Sequence, residues 1–175
     1  TTNKMLTYKR KLILTKAQEI RISSWIGVCR MVYNMGLEIR ISAWKNLQKG
    51  VSKFELMNQI VDLKDFDWIK DVPSQSLQDS VERLDRSYQN FFRTYKSGGG
   101  FPKFAKKGRY NSIAIKQIEV DGNTVKIPKI GTLRTFKDRE IKGIPKRAVI
   151  IKEPTGYFIC IQCEGVEKPV YNSDK

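Results

Sequence analysis

Between Arg93 and Lys116 the sequence carries seven lysines and arginines and no acid: Arg93, Lys96, Lys103, Lys106, Lys107, Arg109 and Lys116. They surround Gly98-Gly99-Gly100 and two aromatics, Phe101 and Phe104, with Tyr110 close behind. These residue types suit a nucleic-acid backbone. Glycines let backbone amides approach a polyanion, cations displace its counterions, and exposed rings stack on unpaired bases. Lys9, Arg10 and Lys11 form a second cluster, and Lys129 and Arg134 belong to a third basic stretch, nine bases against two acids from Lys126 to Lys152. All these cations are expected to hold phosphates without reading sequence. Ser74, Gln75 and Gln78 differ, because amides at a helix start and off its apolar stripe can pair with base edges.

The whole composition supports a polyanionic partner. The 175 residues include 33 Lys+Arg against 18 Asp+Glu, a net charge of +15, and 40% are hydrophobic, enough for a packed core. Histidine is absent, which removes histidine triads and HExxH zinc sites. Cys160 and Cys163 have half the spacing of a metal knuckle, but residues three apart on a strand point to opposite faces, so no metal site is expected. From Glu55 to Asp85 eight acids face three bases, and these are expected on solvated helix faces with Glu82 and Arg86 in support. No stretch is long and apolar enough to span a bilayer, so no membrane partner is expected and the cytoplasm is the expected location.

Strand, helices and then strands position these residues. Leu6, Tyr8, Leu12 and Leu14 alternate as in a half-buried strand. Thr15 and Gln18 have capping-box spacing before a long helical pattern containing Gly27 and Gly36, which suggest close helix contacts or a bend. Ser52 and Glu55 open a second helix, and a third starts near Ser74 with Leu77, Val81, Leu84, Tyr88, Phe91 and Tyr95 on one stripe. Trp25, Tyr33, Trp44 and Phe91 are expected in the core. After the glycines the period becomes two, with inward Val149 and Ile151 and turns at Asp121-Gly122-Asn123 and Pro154-Thr155-Gly156. The expected fold class is α+β: a small antiparallel barrel, its first strand in residues 1–15, a helical insertion in 16–98, the rest of the barrel in 99–166, and a linker in 167–175.

Several segments resemble the N-terminal half of TnpB, the OrfB-type RNA-guided nucleases of insertion sequences that are related to type V CRISPR effectors. They are Cys29-Arg30-Met31-Val32-Tyr33-Asn34, Val72-Pro73-Ser74-Gln75-Ser76-Leu77-Gln78, Leu84 to Arg93, Gly100 to Lys107, Ile127 to Gly131, and Gly156-Tyr157-Phe158. The resemblance implies a wedge (WED) barrel with an inserted recognition (REC) domain. It implies guide RNA and double-stranded target DNA as partners, and reading of the target-adjacent motif by Ser74, Gln75 and Gln78, although many relatives carry a basic residue where Ser74 stands, so that the motif read here would differ. The family's RuvC-type acidic strand and zinc ribbon have no counterpart here. No magnesium, zinc or other cofactor is therefore expected in this chain, and no cleavage by it. On this reading the chain is a fragment or a decayed short homologue. The alternatives are a free-standing DNA-binding regulator or transposition accessory, and a structural-RNA-binding protein.

Overall fold

The computed structural model describes residues 5–165. They divide into two compact units, one comprising the described residues up to Leu14 and from Ile115 onward, the other Thr15–Ala114. The helical unit is thus inserted in the chain of the sheet unit, and its boundary lies beyond the expected residue 98. The expected linker at 167–175 falls outside the described residues.

The strands are β1 (Met5–Ile13), β2 (Ser112–Ile115), β3 (Glu119–Asp121), β4 (Thr124–Ile127), β5 (Gly131–Thr135), β6 (Ile144–Glu153) and β7 (Gly156–Glu164); all lie in the sheet unit except β2, of which only Ile115 does. The seven strands follow the linear order β2-β6-β7-β1-β5-β4-β3. β1 changes partner along its length, pairing with β7 through Lys11 and with β5 at Leu12 and Ile13. Both turns form where the sequence places them, and Gly122 (φ 57°) and Gly156 (φ 136°) take backbone conformations that disfavour a side chain.

β6 has the opposite phase to the expected one. Ala148 and Ile150 are buried, whereas Val149 and Ile151 are half-buried. The run Ala-Val-Ile-Ile is apolar in both phases, so its own pattern does not choose. β7 chooses: Ala148 faces Ile161 and Ile150 faces Ile159, both fully buried. A one-residue slip would break those pairs, so the register is fixed by the neighbour.

The helical unit contains α1 (Lys16–Leu47), α2 (Lys53–Leu63), α3 (Asp67–Lys70) and α4 (Ser74–Thr94), followed by a 3-10 turn, Tyr95–Ser97. The Thr15 hydroxyl accepts from the Gln18 amide while the Gln18 side chain accepts from the Thr15 amide, completing the capping box. Ser52 caps α2 through the Glu55 amide. α4 instead has Pro73 at its N-cap with no side-chain cap, so Ser74 is its first residue and not the cap. Ile22, Trp25, Leu37, Leu77 and Leu84 are fully buried between these helices.

Acids of the Glu55 to Asp85 segment neutralise arginines, between helices and within α4. Asp71 accepts from Arg21 (2.6 and 3.1 Å) and from the Trp25 indole (2.7 Å). Asp79 pairs with Arg83 at 2.7 Å and Asp85 with Arg40 at 3.0 Å. Asp79 is buried, so the expectation of purely solvated acids is corrected: these carboxylates neutralise arginines within the packed unit.

The two helical glycines separate. A Cβ on Gly36 would lie 2.9 Å from Leu84 Cδ2, whereas one on Gly27 would meet nothing within 4 Å. Gly36 therefore marks the close approach of α1 and α4. Gly27→Ala should stabilise the helical unit by about 0.5–1 kcal/mol through restored helix propensity. Gly36→Val should destabilise it by about 1–3 kcal/mol through overpacking. Urea midpoints followed by circular dichroism check both signs.

Candidate nucleic-acid interface

The basic loop starts where α4 unwinds. Gly98 has φ 92°, and the Gly99 amide donates to the Thr94 carbonyl at 2.8 Å. A Cβ on Gly99 would overlap the Thr94 side chain, so the turn requires glycine there. Phe101 then folds back on α4, edge-on to Tyr88 (5.5 Å) and Phe91 (5.3 Å). Four residues later Asn34 of α1 holds the loop like a strand partner: its Nδ2 donates to the Ala105 carbonyl at 3.0 Å, and its Oδ1 accepts the Ala105 amide at 2.7 Å. The Arg109 amide donates to Lys106, closing a turn in which Gly108 has φ 88°.

Between and beside these anchors Lys103, Lys106, Lys107 and Arg109 are all exposed, as are Arg93 and Lys96 nearer the helix. Arg93 donates to Asn90 at 2.8 Å, and the Lys96 ammonium lies over the Tyr95 ring. Phe104 is 51% exposed and Phe101 45%, so both keep a face in water.

Tyr110 does not. Its ring is buried, 5.9 Å from Tyr33 and beneath the Arg83 guanidinium at 4.7 Å. Its hydroxyl lies 2.7 Å from Ser80 Oγ, and burial pushes the phenol up from its usual range. Tyr110 is therefore a core anchor for the end of the loop, not a stacking platform.

At the start of α4 Gln78 is exposed and Ser74 and Gln75 are half-buried. Ser74 Oγ accepts from the Lys64 ammonium at 3.0 Å. Sequence reasoning missed Lys64, whose position ten residues upstream gives no signal until α2 and α3 fold back.

On the sheet unit Lys9, Lys11, Lys129 and Arg134 are exposed. Lys9 already binds Glu153 at 2.7 Å and lies over Phe158, and the Glu153 hydrogen bond raises its pKa. Lys129 sits at φ 70°, a left-handed conformation unusual for a non-glycine residue. Arg10 is the exception. It is only 5% exposed, donating Nη1 to the Gly122 carbonyl (2.7 Å) and Nη2 to the Arg139 carbonyl (2.9 Å). Arg10 is thus an internal clamp on the β3–β4 turn and not a surface cation. The signal was present: Arg10 is in phase with Tyr8 and Leu12 on the buried face of β1.

Nucleophilic chemistry has no foothold in the thiols. Burial pushes Cys29 up to about 12 and raises Cys160 and Cys163, so none is a thiolate near neutral pH. Cys163 is buried and Cys160 half-buried, on opposite faces of β7. Among the described residues no group of three His, Cys, Asp or Glu side chains could hold a metal.

Because Asn34 supplies both ends of the contact to Ala105, Asn34→Ala should release the loop. Two lost hydrogen bonds of about 0.5–1.5 kcal/mol each should raise its opening roughly 5- to 150-fold. Native-state trypsin cleavage after Lys103, Lys106 and Lys107 should accelerate accordingly, with the far-ultraviolet spectrum unchanged.

Residues 5–49 match the helix-turn-helix domain of OrfB proteins of the IS605 type. Here that stretch is β1 followed by one continuous helix, α1, without an internal turn. The chain is 29% identical over 163 residues to "Putative RNA-guided DNA endonuclease InsQ" of Escherichia coli K12, covering 89% of this chain and 40% of that protein. It is 23% identical over 174 residues to a "Putative RNA-guided DNA endonuclease" of Streptomyces pristinaespiralis, covering 93% of this chain and 42% of that protein. The chain spans about two fifths of the length of these curated relatives. Its resemblance to TnpB-type, OrfB-like proteins, first carried by short motifs, therefore extends over nearly all of the chain.

Proposed function

We propose that this chain is the nucleic-acid-binding part of a TnpB-like RNA-guided DNA nuclease. Its sheet unit would be the wedge domain and its helical unit the recognition insertion, together holding guide RNA and the target-adjacent duplex in the cytoplasm. The observation that carries this reading is the loop from Gly98 to Arg109. It is pinned by Phe101, Asn34 and Tyr110, yet it leaves Lys103, Lys106, Lys107 and Arg109 exposed with no acid in the segment. The names of the relatives and the net charge of +15 support it. Among the described residues no helix is long and apolar enough to cross a membrane.

On this reading the protein reads a short duplex motif and base pairing with the guide reads the rest. Cleavage would on this reading belong to other parts of the parent protein; among the described residues no group of three His, Cys, Asp or Glu side chains could hold a metal ion.

Binding should be strongly salt-dependent. If the six exposed cations from Arg93 to Arg109 each neutralise a duplex phosphate, log K against log salt should slope by roughly minus five. Replacing Lys103, Lys106, Lys107 and Arg109 by alanine should flatten that slope by roughly three to four and weaken all sequences about equally. Filter binding at several salt concentrations measures both, and a slope near zero for the unaltered chain would overturn the reading.

Sequence readout predicts another pattern. Gln78→Ala should remove roughly 1–3 kcal/mol of discrimination at one base pair and leave non-specific affinity almost intact. Competition with randomised duplexes checks this, and an unchanged preference would return Gln78 to the ordinary surface.

A further inference from the structure

Beyond the basic loop, the helical unit contains an aromatic groove of about 1000 Å³ between the C-terminal part of α1, the start of α2 and the C-terminal half of α4. Trp44 is 60% exposed there, Phe54 68% and Phe92 59%. The expectation that Trp44 belongs to the core is thereby corrected. Exposed rings on three elements of one groove have a face to offer a flat ligand. The groove is also cationic. Of the charged residues lining it, Arg40 is paired with Asp85, leaving Lys45, Lys49 and Lys53 against Glu55. The Lys53 ammonium lies 5.4 Å from the Phe54 ring, so charge and aromatic surface are interleaved.

The groove also touches the loop. Phe101 lines it, two residues before Lys103, the first exposed cation of the loop. A strand whose phosphates are held by the loop is therefore brought to the groove's edge at Phe101. Phe91 and Phe92 continue the aromatic surface from there, with ring centres 5.3 Å (Phe101 to Phe91) and 5.8 Å (Phe91 to Phe92) apart. Every base has a π face, so rings with lysines alongside suit unpaired nucleotides whatever their sequence. A duplex buries those faces in its own stack and cannot use them.

We propose that this groove is a subsite for unpaired nucleotides, their bases stacked on Trp44 and Phe92 and their phosphates neutralised by Lys45 and Lys49. The proposal rests on the nucleic-acid-binding reading above and adds a place where single strand is distinguished from duplex.

The test titrates the full chain with a 20-nucleotide oligothymidylate and with a 20-base-pair duplex, comparing the unaltered protein with W44A and F92A. Both rings are more than half exposed; Phe92 also meets the buried Tyr88 ring at 6.1 Å, so circular dichroism and the urea midpoint verify that each variant keeps the fold. Each substitution should weaken oligothymidylate binding by about five- to a hundred-fold. Duplex affinity should stay within about two-fold and the duplex salt slope should not change, since no cation is removed. Binding of the single strand should also quench the fluorescence of the unaltered protein, with most of that quench absent in W44A. Unchanged oligothymidylate affinity in both variants, with the unaltered chain still binding nucleic acid, would overturn the groove proposal alone. Failure of the unaltered chain to bind either probe would instead overturn the reading beneath it. Concentration-dependent dimers in sedimentation that W44A and F92A convert to monomers, with oligothymidylate affinity unchanged, would assign the groove to a second copy of the chain and overturn the nucleotide proposal.

Discussion

The paired contact between the Asn34 amide and the backbone of Ala105 determines what the basic loop can do. Four cations within seven residues repel one another, and glycines before them make an ordered backbone costly in entropy. Left to itself such a segment would spread its charge through solvent. Asn34 instead satisfies the donor and the acceptor of one loop residue. Phe101 adds two edge-on aromatic contacts, each worth roughly 0.5–1.5 kcal/mol, and Tyr110 closes the far end against Ser80. The repulsion is spent holding the ammonium groups outward and not on disordering the chain. A polyanion that arrives finds the cations already placed, so less ordering has to be charged against its binding.

Arginine serves a different purpose on each unit. In the sheet unit Arg10 faces the buried side of β1 and spends both terminal nitrogens on carbonyls, joining β1 to the β3–β4 turn and to the segment around Arg139. In the helical unit Arg21, Arg40 and Arg83 are neutralised by Asp71, Asp85 and Asp79. Three of the eight acids between Glu55 and Asp85 are thereby used to neutralise arginines of the helical unit. Lysine predominates among the exposed cations of the loop. A planar guanidinium matches fixed carboxylates and carbonyls, and a mobile ammonium suits phosphates whose positions vary.

Local signals carried the fold where the cause was local. Thr15 with Gln18, Ser52 with Glu55, the two hairpin turns and the glycines after α4 each act within a few residues, and each produced the element its spacing implied. Signals failed where burial depends on a distant partner. Tyr110 lies beside the basic loop in sequence but meets Ser80, thirty residues earlier, so proximity to lysines suggested stacking and packing imposed burial. Trp44 is a large aromatic inside a helical pattern and so suggested the core, yet near the end of α1 it lines an open groove and its ring is exposed. β6 was ambiguous because four consecutive apolar residues satisfy either face until β7 pairs with them. The later end of the helical insertion has the same origin, since residues 99–114 follow the glycine break but are held by Asn34, Tyr88 and Ser76.

Phe101 connects these themes through one steric rule. It precedes Pro102, whose ring disfavours the helical conformation in the residue before it, so the chain does not resume α4 after the glycines. The Phe101 ring packs on Tyr88 and Phe91 of that helix, while the next cation, Lys103, stays in solvent. One short segment thereby separates two physical demands: aromatic surface on the helix side and positive charge on the loop side. Stacking is nearly indifferent to ionic strength and counterion release is not. On the proposed reading, a surface divided in this way would hold any strand by its phosphates and still respond to whether the bases of that strand are free.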